Sequence, residues 1–438
     1  MDAGSRSAWS LKKGLAAIGA VVTGKAALTI ADQGIVSAAN FATSIIIGRM
    51  CSKEEFGLYL LGFSIVILVV NTQLSLISAA YTVFSPRMRG EAHARYTGST
   101  LIHHIVYAAI VMAALFLAAT AMRLWGGPEG LGPVLWTLAA VIALILLKEY
   151  ARQVCFAGLR IKTVFALDTA VSVLQVAGLL GLAYAGGLSA RHAYGVIGVC
   201  AGAAGLLWLA ASRRMFSPRL PEVAAHFRKN WGYGKWIFAY NVAFVASNQI
   251  YPWLLLVFHG AEANGIYGAC AGVIFLVNPL IIGLGNFLGP KTVHALTESG
   301  PQAMRRVVRL ADLFFLAGIG GFAVLMFFAG EWVLTLFYGQ KYAGHGAVVA
   351  ILGMVQVAWA LTVPANFGLN ALERPDIAFK SLLLSLGVMV TVGVWVVWAY
   401  GPMGVAFGLL AGNIAACVFT RAYFARQLGM RQAQHGTL

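Results

Sequence analysis

Apolar stretches of roughly 20 residues recur from one end of the chain to the other, each followed by a short polar segment. Wound as a helix, such a stretch crosses the ~30 Å hydrocarbon core of a bilayer. Lipid offers the backbone no hydrogen-bond partners, so a chain of this kind satisfies its peptide groups only as packed helices. The pattern predicts twelve spans, at about 27–49, 57–80, 101–122, 131–150, 166–186, 193–212, 234–257, 263–288, 308–329, 346–366, 378–399 and 402–424.

Charge sorts the intervening segments into two sides. Of 31 Lys and Arg, 25 fall in every second segment, beginning with the N-terminus; only Arg49, Lys53, Arg123, Arg191 and Lys341 fall on the other side, and Lys235 opens span seven. Cytoplasmic loops carry the excess of basic residues, so both termini are expected in the cytoplasm. The predicted fold class is an all-α polytopic membrane protein. Composition agrees: 60% of residues are hydrophobic and 11% charged, with mean hydropathy +0.80, against about 25% charged in a soluble domain. A net charge of +16 on a soluble protein would suggest nucleic acid. Spread over many loops it is a topology signal, and no nucleic-acid partner is expected. The five cysteines are scattered without CxxC or Cys/His spacing. They read as small apolar packing residues, with no disulfide framework, metal site or cofactor.

Residues 1–26 predict an interfacial helix with Trp9, Leu11, Leu15, Ile18 and Val22 roughly on one face. The remaining organisation is a six-helix bundle over 27–212, a cytoplasmic linker over 213–233, a second bundle over 234–424 and a tail over 425–438. The halves repeat at an offset of about 208 residues. Phe56-Gly57-Leu58-Tyr59 returns as Asn264-Gly265-Ile266-Tyr267, Ser85-Pro86-Arg87 as Gly289-Pro290-Lys291, and Gly195-Val196 as Gly404-Val405. Six spans per half make the repeat parallel, with a pseudo-twofold axis along the membrane normal. Two bundles facing each other across a cleft is the expected arrangement, typical of alternating-access transporters.

The register singles out polar residues inside the spans. Gln33 maps onto Asn241 and Asn40 onto Asn248, each pair seven apart on one helix face, and Asn71 with Asn278 forms a looser pair. Such amides avoid lipid. They either hydrogen-bond between helices or line the cleft as a substrate cavity. Asp32 stands out as a carboxylate within span one, which must find a partner, a cation or a proton, and is the ion-coupling candidate. Asp168 and Asp312 open spans five and nine, where pairing with nearby cations is expected, Arg309 for Asp312. Lys25 and Lys235 open spans one and seven, as interfacial anchors or as a diphosphate-binding pair at the cytoplasmic mouth. His103 and His104 are expected at an interface; neighbours on a helix point about 100° apart and make a poor metal pair. Pro279, Pro364 and the Gly289-Pro290 pair mark places where a spanning helix can kink.

These residues carry a family resemblance. The stretch Asp32-Gln33-Gly34, Ser37, Asn40-Phe41, Gly48-Arg49 and Glu54-Glu55-Phe56-Gly57-Leu58-Tyr59 resembles the opening of bacterial polysaccharide flippases of the multidrug/oligosaccharidyl-lipid/polysaccharide (MOP) superfamily. The likeness continues in Leu334-Thr335-Leu336-Phe337-Tyr338-Gly339-Gln340-Lys341-Tyr342, in Asn370-Ala371-Leu372-Glu373-Arg374-Pro375 and in Tyr400-Gly401-Pro402-Met403-Gly404-Val405-Ala406. The resemblance implies a V-shaped pair of six-helix bundles in the bacterial inner membrane. It implies movement of a polyprenyl-diphosphate-linked oligosaccharide to the outer leaflet, with membrane lipids, a polysaccharide polymerase and other assembly proteins as partners. The chain departs from the family where members often carry an acidic residue, reading Gln249-Ile250-Tyr251-Pro252, and it lacks a rich set of Arg within the predicted spans.

The runner-up is a cation-coupled multidrug exporter of the same superfamily, with Asp32 as its ion site. A membrane glycosyltransferase or ligase needs catalytic groups on sizeable outer loops. The longest here, about 330–345, holds only Glu331 and Lys341, and no metal cluster, nucleophile elbow or phosphate-cradling loop stands in one. No catalytic residue is therefore assigned. A non-transporting scaffold would not need matched polar faces in spans one and seven.

Overall fold

The computed structural model of the chain describes residues 25–435, without the side chains of 25, 26, 282, 286 and 432–435. Of the expected interfacial helix over 1–26, residues 1–24 lie outside the described residues and 25–26 open the first helix; 436–438 of the tail also lie outside. The described chain is helical, with no strand. Nine of its helical stretches are long and apolar enough to cross a membrane, where the hydrophobic pattern predicts twelve spans. The difference has a simple origin: the breaks within the two longest stretches are single glycines, not polar loops. Gly260 and Gly300 interrupt Leu220 to Tyr338, and Gly401 interrupts the last stretch, each with non-helical backbone.

In chain order α1 is Lys25–Met50, α2 runs from Lys53 to Phe84 through a π turn at Leu74–Ser78, α3 is Gly90–Trp125, α4 Leu131–Ala157, α5 Ile161–Tyr184 and α6 Ala190–Ala211. Divided at the glycines, α7 is 220–259, α8 261–299 and α9 301–338. α10 is Gly346–Ala371, α11 376–400 and α12 402–435. Several helices outrun their predicted spans, because hydropathy stops at the first polar residues while the hydrogen-bonded helix does not. α3 begins at Gly90 and α4 continues to Ala157. The expected linker 213–233 holds a 3₁₀ turn at Arg213–Met215 and then, from Leu220, the start of α7.

The chain falls into two compact units. One comprises residues up to 43, 69–121 and 135–238. Its core gathers Tyr81, Tyr96, Tyr150, Val154, Cys155, Val164 and Trp208 from α2 to α6. The tyrosine hydroxyls stay bonded inside it: Tyr96 donates to Asn230 Oδ1 at 2.8 Å, and Tyr150 meets Thr100 at 2.9 Å. His103 and His104 are buried here rather than interfacial. The early start of α3 carries them a further three turns into the helix. His104 meets the Gln73 amide at 3.0 Å and stacks on Tyr150, and His103 meets the Val223 carbonyl at 2.9 Å.

The other unit comprises 44–68, 122–134 and 239 onward. Its hub is α10, packed against α8, α9 and α12. Met304, Val308, Leu369, Leu372, Ile377 and Phe424 close one end of that core. Large apolar side chains such as Ile105, Leu117, Val173, Leu207, Phe328 and Trp395 lie exposed on helix faces in both units. In water so many exposed apolar residues would drive aggregation; against lipid they are at home. The chain is a multi-pass membrane protein.

Candidate functional site

Asp32 has found its partner. α1 buries this carboxylate to 1% exposure, and Arg152 of α4 donates to its Oδ2 at 3.2 Å. The same guanidinium donates through Nε to Asp168 Oδ2 of α5 at 2.6 Å. Lys148, one turn before Arg152, lies 2.8 Å from Asp168 Oδ1 and 2.9 Å from Glu149 Oε1. Three helices thus converge on five charged side chains. α4 can do this because Lys148 and Arg152 are four apart and share a face. A planar guanidinium has donors on two edges held in fixed directions, so Arg152 spans Asp32 and Asp168 from two neighbouring helices. Three carboxylates face two cations, which leaves one formal negative charge in excess. Asp32 Oδ1 is buried and accepts no hydrogen bond among the described residues. Burying so many charges is expensive unless each is paired, and this set is one charge short.

Lys148 falls at the end of predicted span four and Arg152 beyond it, yet both lie inside α4, which continues to Ala157. Composition hid them: Lys-Glu-Tyr-Ala-Arg-Gln reads as a loop until the apolar residues after it, Val154 to Ala157, extend the helix. Arg421 falls near the end of predicted span twelve, and α12 carries it inside the helix, which runs on to His435. Arg421 grips Asp312 end-on with both terminal nitrogens, Nη1 to Oδ1 at 2.9 Å and Nη2 to Oδ2 at 2.6 Å, and also donates to the Leu361 carbonyl. The sequence predicts Arg309 as the partner of Asp312; Arg309 is exposed, and the cation that pairs with Asp312 comes from a distant span.

The amides singled out by the repeat are mostly at helix surfaces. Gln33 and Asn40 are both exposed on α1. Asn71 is half-buried on α2, with its backbone carbonyl accepting from Ser75 at 2.7 Å. Asn241 is half-buried on α7, and Asn248 is exposed, its amide donating to the Phe244 carbonyl at 2.8 Å. Asn278 opens a helical segment of α8, and its Oδ1 is buried without a partner among the described residues. Lys235 is exposed and its ammonium lies 5.5 Å over the Trp236 ring. Lys25 starts α1, but its side chain lies outside the described residues.

In the second unit the repeat becomes a physical contact. Gly57 of α2 and Gly265 of α8 are repeat mates, and they pack against each other's helices. A Cβ on Gly57 would strike the Ala261 carbonyl oxygen; a Cβ on Gly265 would strike the Lys53 carbonyl oxygen. Lys53 and Ala261 are themselves repeat mates, so the contact is symmetric under exchange of the halves. Only glycine lets two helix backbones approach this closely. Asn264 donates to the Gly57 carbonyl at 2.9 Å, and Lys53 pairs with Glu262 at 3.0 Å.

The stretch Leu334 to Tyr342 is structural. Tyr338 and Tyr342 are fully buried, and Tyr338 bonds Ser44 at 3.0 Å. Lys341 donates to the carbonyls of Arg49 and Cys51, where α1 ends. This is the position at which a cation best complements a helix C-terminus. Arg49 in turn donates to the Leu336 carbonyl at 2.9 Å. Glu331 accepts from the backbone of Gly344 and Gly346, satisfying the free N–H groups at the start of α10.

Residues 22–286 match the polysaccharide biosynthesis protein family. No curated protein matches the chain. Among solved structures, an inward-facing multidrug resistance MATE family transporter of the MOP superfamily superposes with a TM-score of 0.71 at 16% identity, covering 91% of this chain and 96% of that one. A mutant of the Vibrio cholerae MATE transporter VcmN gives 0.62 at 17% identity, covering 91% and 94%. A MOP superfamily transporter from Pyrococcus furiosus, described as having a binding pocket of reverse polarity, gives 0.61 at 15% identity, covering 93% and 96%. At these identities the likeness is one of fold.

Proposed function

The chain belongs to the polysaccharide biosynthesis protein family, and we propose that this transporter of the MOP superfamily is a flippase that moves a polyprenyl-diphosphate-linked oligosaccharide from the cytoplasmic to the outer leaflet of the bacterial inner membrane. The observation that carries the reading is the family match, which extends over α1 to α7 and into α8. A large polar head must cross hydrocarbon while its prenyl tail stays in lipid. That task calls for alternating access and for hydrogen-bonding side chains on spanning helices. Gln33, Asn40, Asn71, Asn241, Asn248 and Asn278 are the proposed lining; each amide both donates and accepts, as sugar hydroxyls require. Lys25 and Lys235 are the proposed cations for the diphosphate, acting as point charges. Asp32 is the proposed coupling carboxylate. A proton or cation there cancels the excess charge of its network and loosens the hold on Arg152. The close approach of α2 and α8 at Gly57 and Gly265 is the contact proposed to part during the cycle. A polysaccharide polymerase and other assembly proteins are the proposed partners.

The MATE fold favours a second reading, a cation-coupled exporter of small molecules. One experiment separates the two. The chain is expressed in a strain lacking its own polysaccharide flippase, and in one lacking its drug exporters. The flippase reading expects restored surface glycan and unchanged drug tolerance. Restored tolerance without glycan establishes the exporter and refutes the flippase. In the rescued strain, Asp32→Asn at normal protein level is expected to abolish rescue.

A further inference from the structure

The α4–α5 and α10–α11 turns are copies of each other at an offset of 214 residues, Leu159 to Glu373. Each ends its helix with a non-glycine residue in the left-handed region, Leu159 at φ 53° and Glu373 at φ 61°. Their hydrogen bonds correspond one to one. Gly158 N to Val154 O matches Leu372 N to Gly368 O, and Leu159 N to Phe156 O matches Glu373 N to Asn370 O. Arg160 N to Cys155 O matches Arg374 N to Leu369 O, and Thr163 N to Arg160 O matches Ile377 N to Arg374 O. The residue after each left-handed position is therefore the same arginine in the same backbone setting.

The two arginines differ in what they hold. Arg374 grips Asp376 bidentately, Nε to Oδ1 at 2.9 Å and Nη2 to Oδ2 at 3.1 Å. The counterpart of Asp376 in the first half is Lys162, a cation. Arg160 accordingly pairs with no carboxylate among the described residues; its Nη1 reaches only the weak acceptor Met215 Sδ at 3.3 Å. Beside it a cavity of about 210 Å³ opens, lined by Arg160, His93, Tyr81, Ser85, Pro86 and Met88 among others. At about 30 Å³ per water the cavity holds more than a bridging solvent molecule. The loop at its rim adds Arg87 and Arg89, both exposed.

We propose that this cavity is a binding site for a phosphate-bearing group, in which the external anion takes the place that Asp376 fills for Arg374. A guanidinium offers carboxylate and phosphate the same fork. The site lies in the first unit, on the side predicted cytoplasmic, and Lys235 is not among its lining residues. Two sources present this chemistry there: the headgroup of an anionic lipid, or a soluble phosphate compound.

The test titrates inorganic pyrophosphate into the full chain in phosphatidylcholine nanodiscs. Wild type is expected to bind, and Arg160→Gln to bind about tenfold more weakly or worse, the worth of a hydrogen bond to a charged group. The second variant, Lys162→Asp, copies the second half. It is expected to seat its own carboxylate on Arg160 and abolish binding while keeping wild-type thermal stability. Arg228→Asp makes the same charge change outside the cavity lining and is expected to leave binding intact. If phosphatidylglycerol in the nanodiscs weakens pyrophosphate binding to wild type but not the residual binding of Arg160→Gln, the natural occupant is a lipid headgroup; if it changes neither, a soluble phosphate. The proposal is overturned if wild type does not bind pyrophosphate, or if Lys162→Asp and Arg228→Asp lose binding equally.

Discussion

Arg152 holds two buried carboxylates at once, so its removal is more damaging than the loss of one ion pair. Arg152→Leu leaves Asp32 and Asp168 buried with only Lys148 to offset them. Breaking a buried pair from one side typically costs about 3–5 kcal/mol. The expected outcome is a large fall in protein level and in the midpoint of thermal unfolding in detergent, whereas Arg152→Lys, which keeps the charge but loses the planar fork, falls in between. A wild-type midpoint for Arg152→Leu would show that the network carries little stability. The left-handed residues argue the opposite sign. A side chain at positive φ costs roughly 1–2 kcal/mol, and glycine escapes it at some cost in unfolded-chain entropy. Leu159→Gly and Glu373→Gly are each expected to raise the midpoint slightly, by up to about 1 kcal/mol of stability. At this scale the sequence shows half of the site. Asp32 is visible because a carboxylate in an apolar run has no innocent explanation. Its partners are not, because Lys148 and Arg152 sit where helix and loop have the same composition.

The helices set which of these residues can meet, and the contact of α2 with α8 is the one where a single added atom matters most. Gly57 and Gly265 are legible as repeat mates in the sequence; that they touch is not, since a repeat fixes correspondence and not distance. Any side chain at Gly57 meets the Ala261 carbonyl, and backbone cannot swing aside as a flexible side chain can. Gly57→Leu is therefore expected to push the helices apart, to cost transport at normal protein level, and to open the buried segment around Ala263, which is 8% exposed. A cysteine introduced by Ala263→Cys should react with a maleimide faster in the Gly57→Leu background. Unchanged labelling together with unchanged transport would show that the approach is incidental. The expected spans erred in one direction, too short, at α3, α4 and α8. Polar residues at helix ends are paired by neighbouring helices, and a hydropathy average sees only their polarity.

At the scale of the whole chain, the basic residues decide orientation, and the structure explains why the minority side has any. Of the five cations there, Lys53 is paired with Glu262, Arg49 donates to the Leu336 carbonyl and Lys341 donates to the carbonyls at the end of α1. A cation spent on a local contact says little about sidedness, so the bias in the remaining positions is stronger than the raw count. Leu220 and Gln340 are exposed residues on opposite predicted sides. Leu220→Cys is expected to react with a membrane-impermeant maleimide only from the cytoplasm, and Gln340→Cys only from outside. The assay is run with the half-exposed Cys200 and Cys417 replaced by serine, and the remaining native thiols should stay silent. Cys155 and Cys270 are buried, and at Cys51 burial, with Glu55 beside it, pushes the thiol up to about 11 despite Lys341. The reactive thiolate of Cys51 is then scarce at neutral pH and becomes abundant only as the pH rises towards that value. Labelling at pH 7 in the Cys200→Ser, Cys417→Ser background therefore reports the introduced cysteines, and a signal from that background alone at pH 7 would contradict the burial of Cys51, Cys155 or Cys270. Labelling of positions 220 and 340 from the same side would overturn the orientation, and with it the cytoplasmic placement of the α4–α5 turn and its phosphate site.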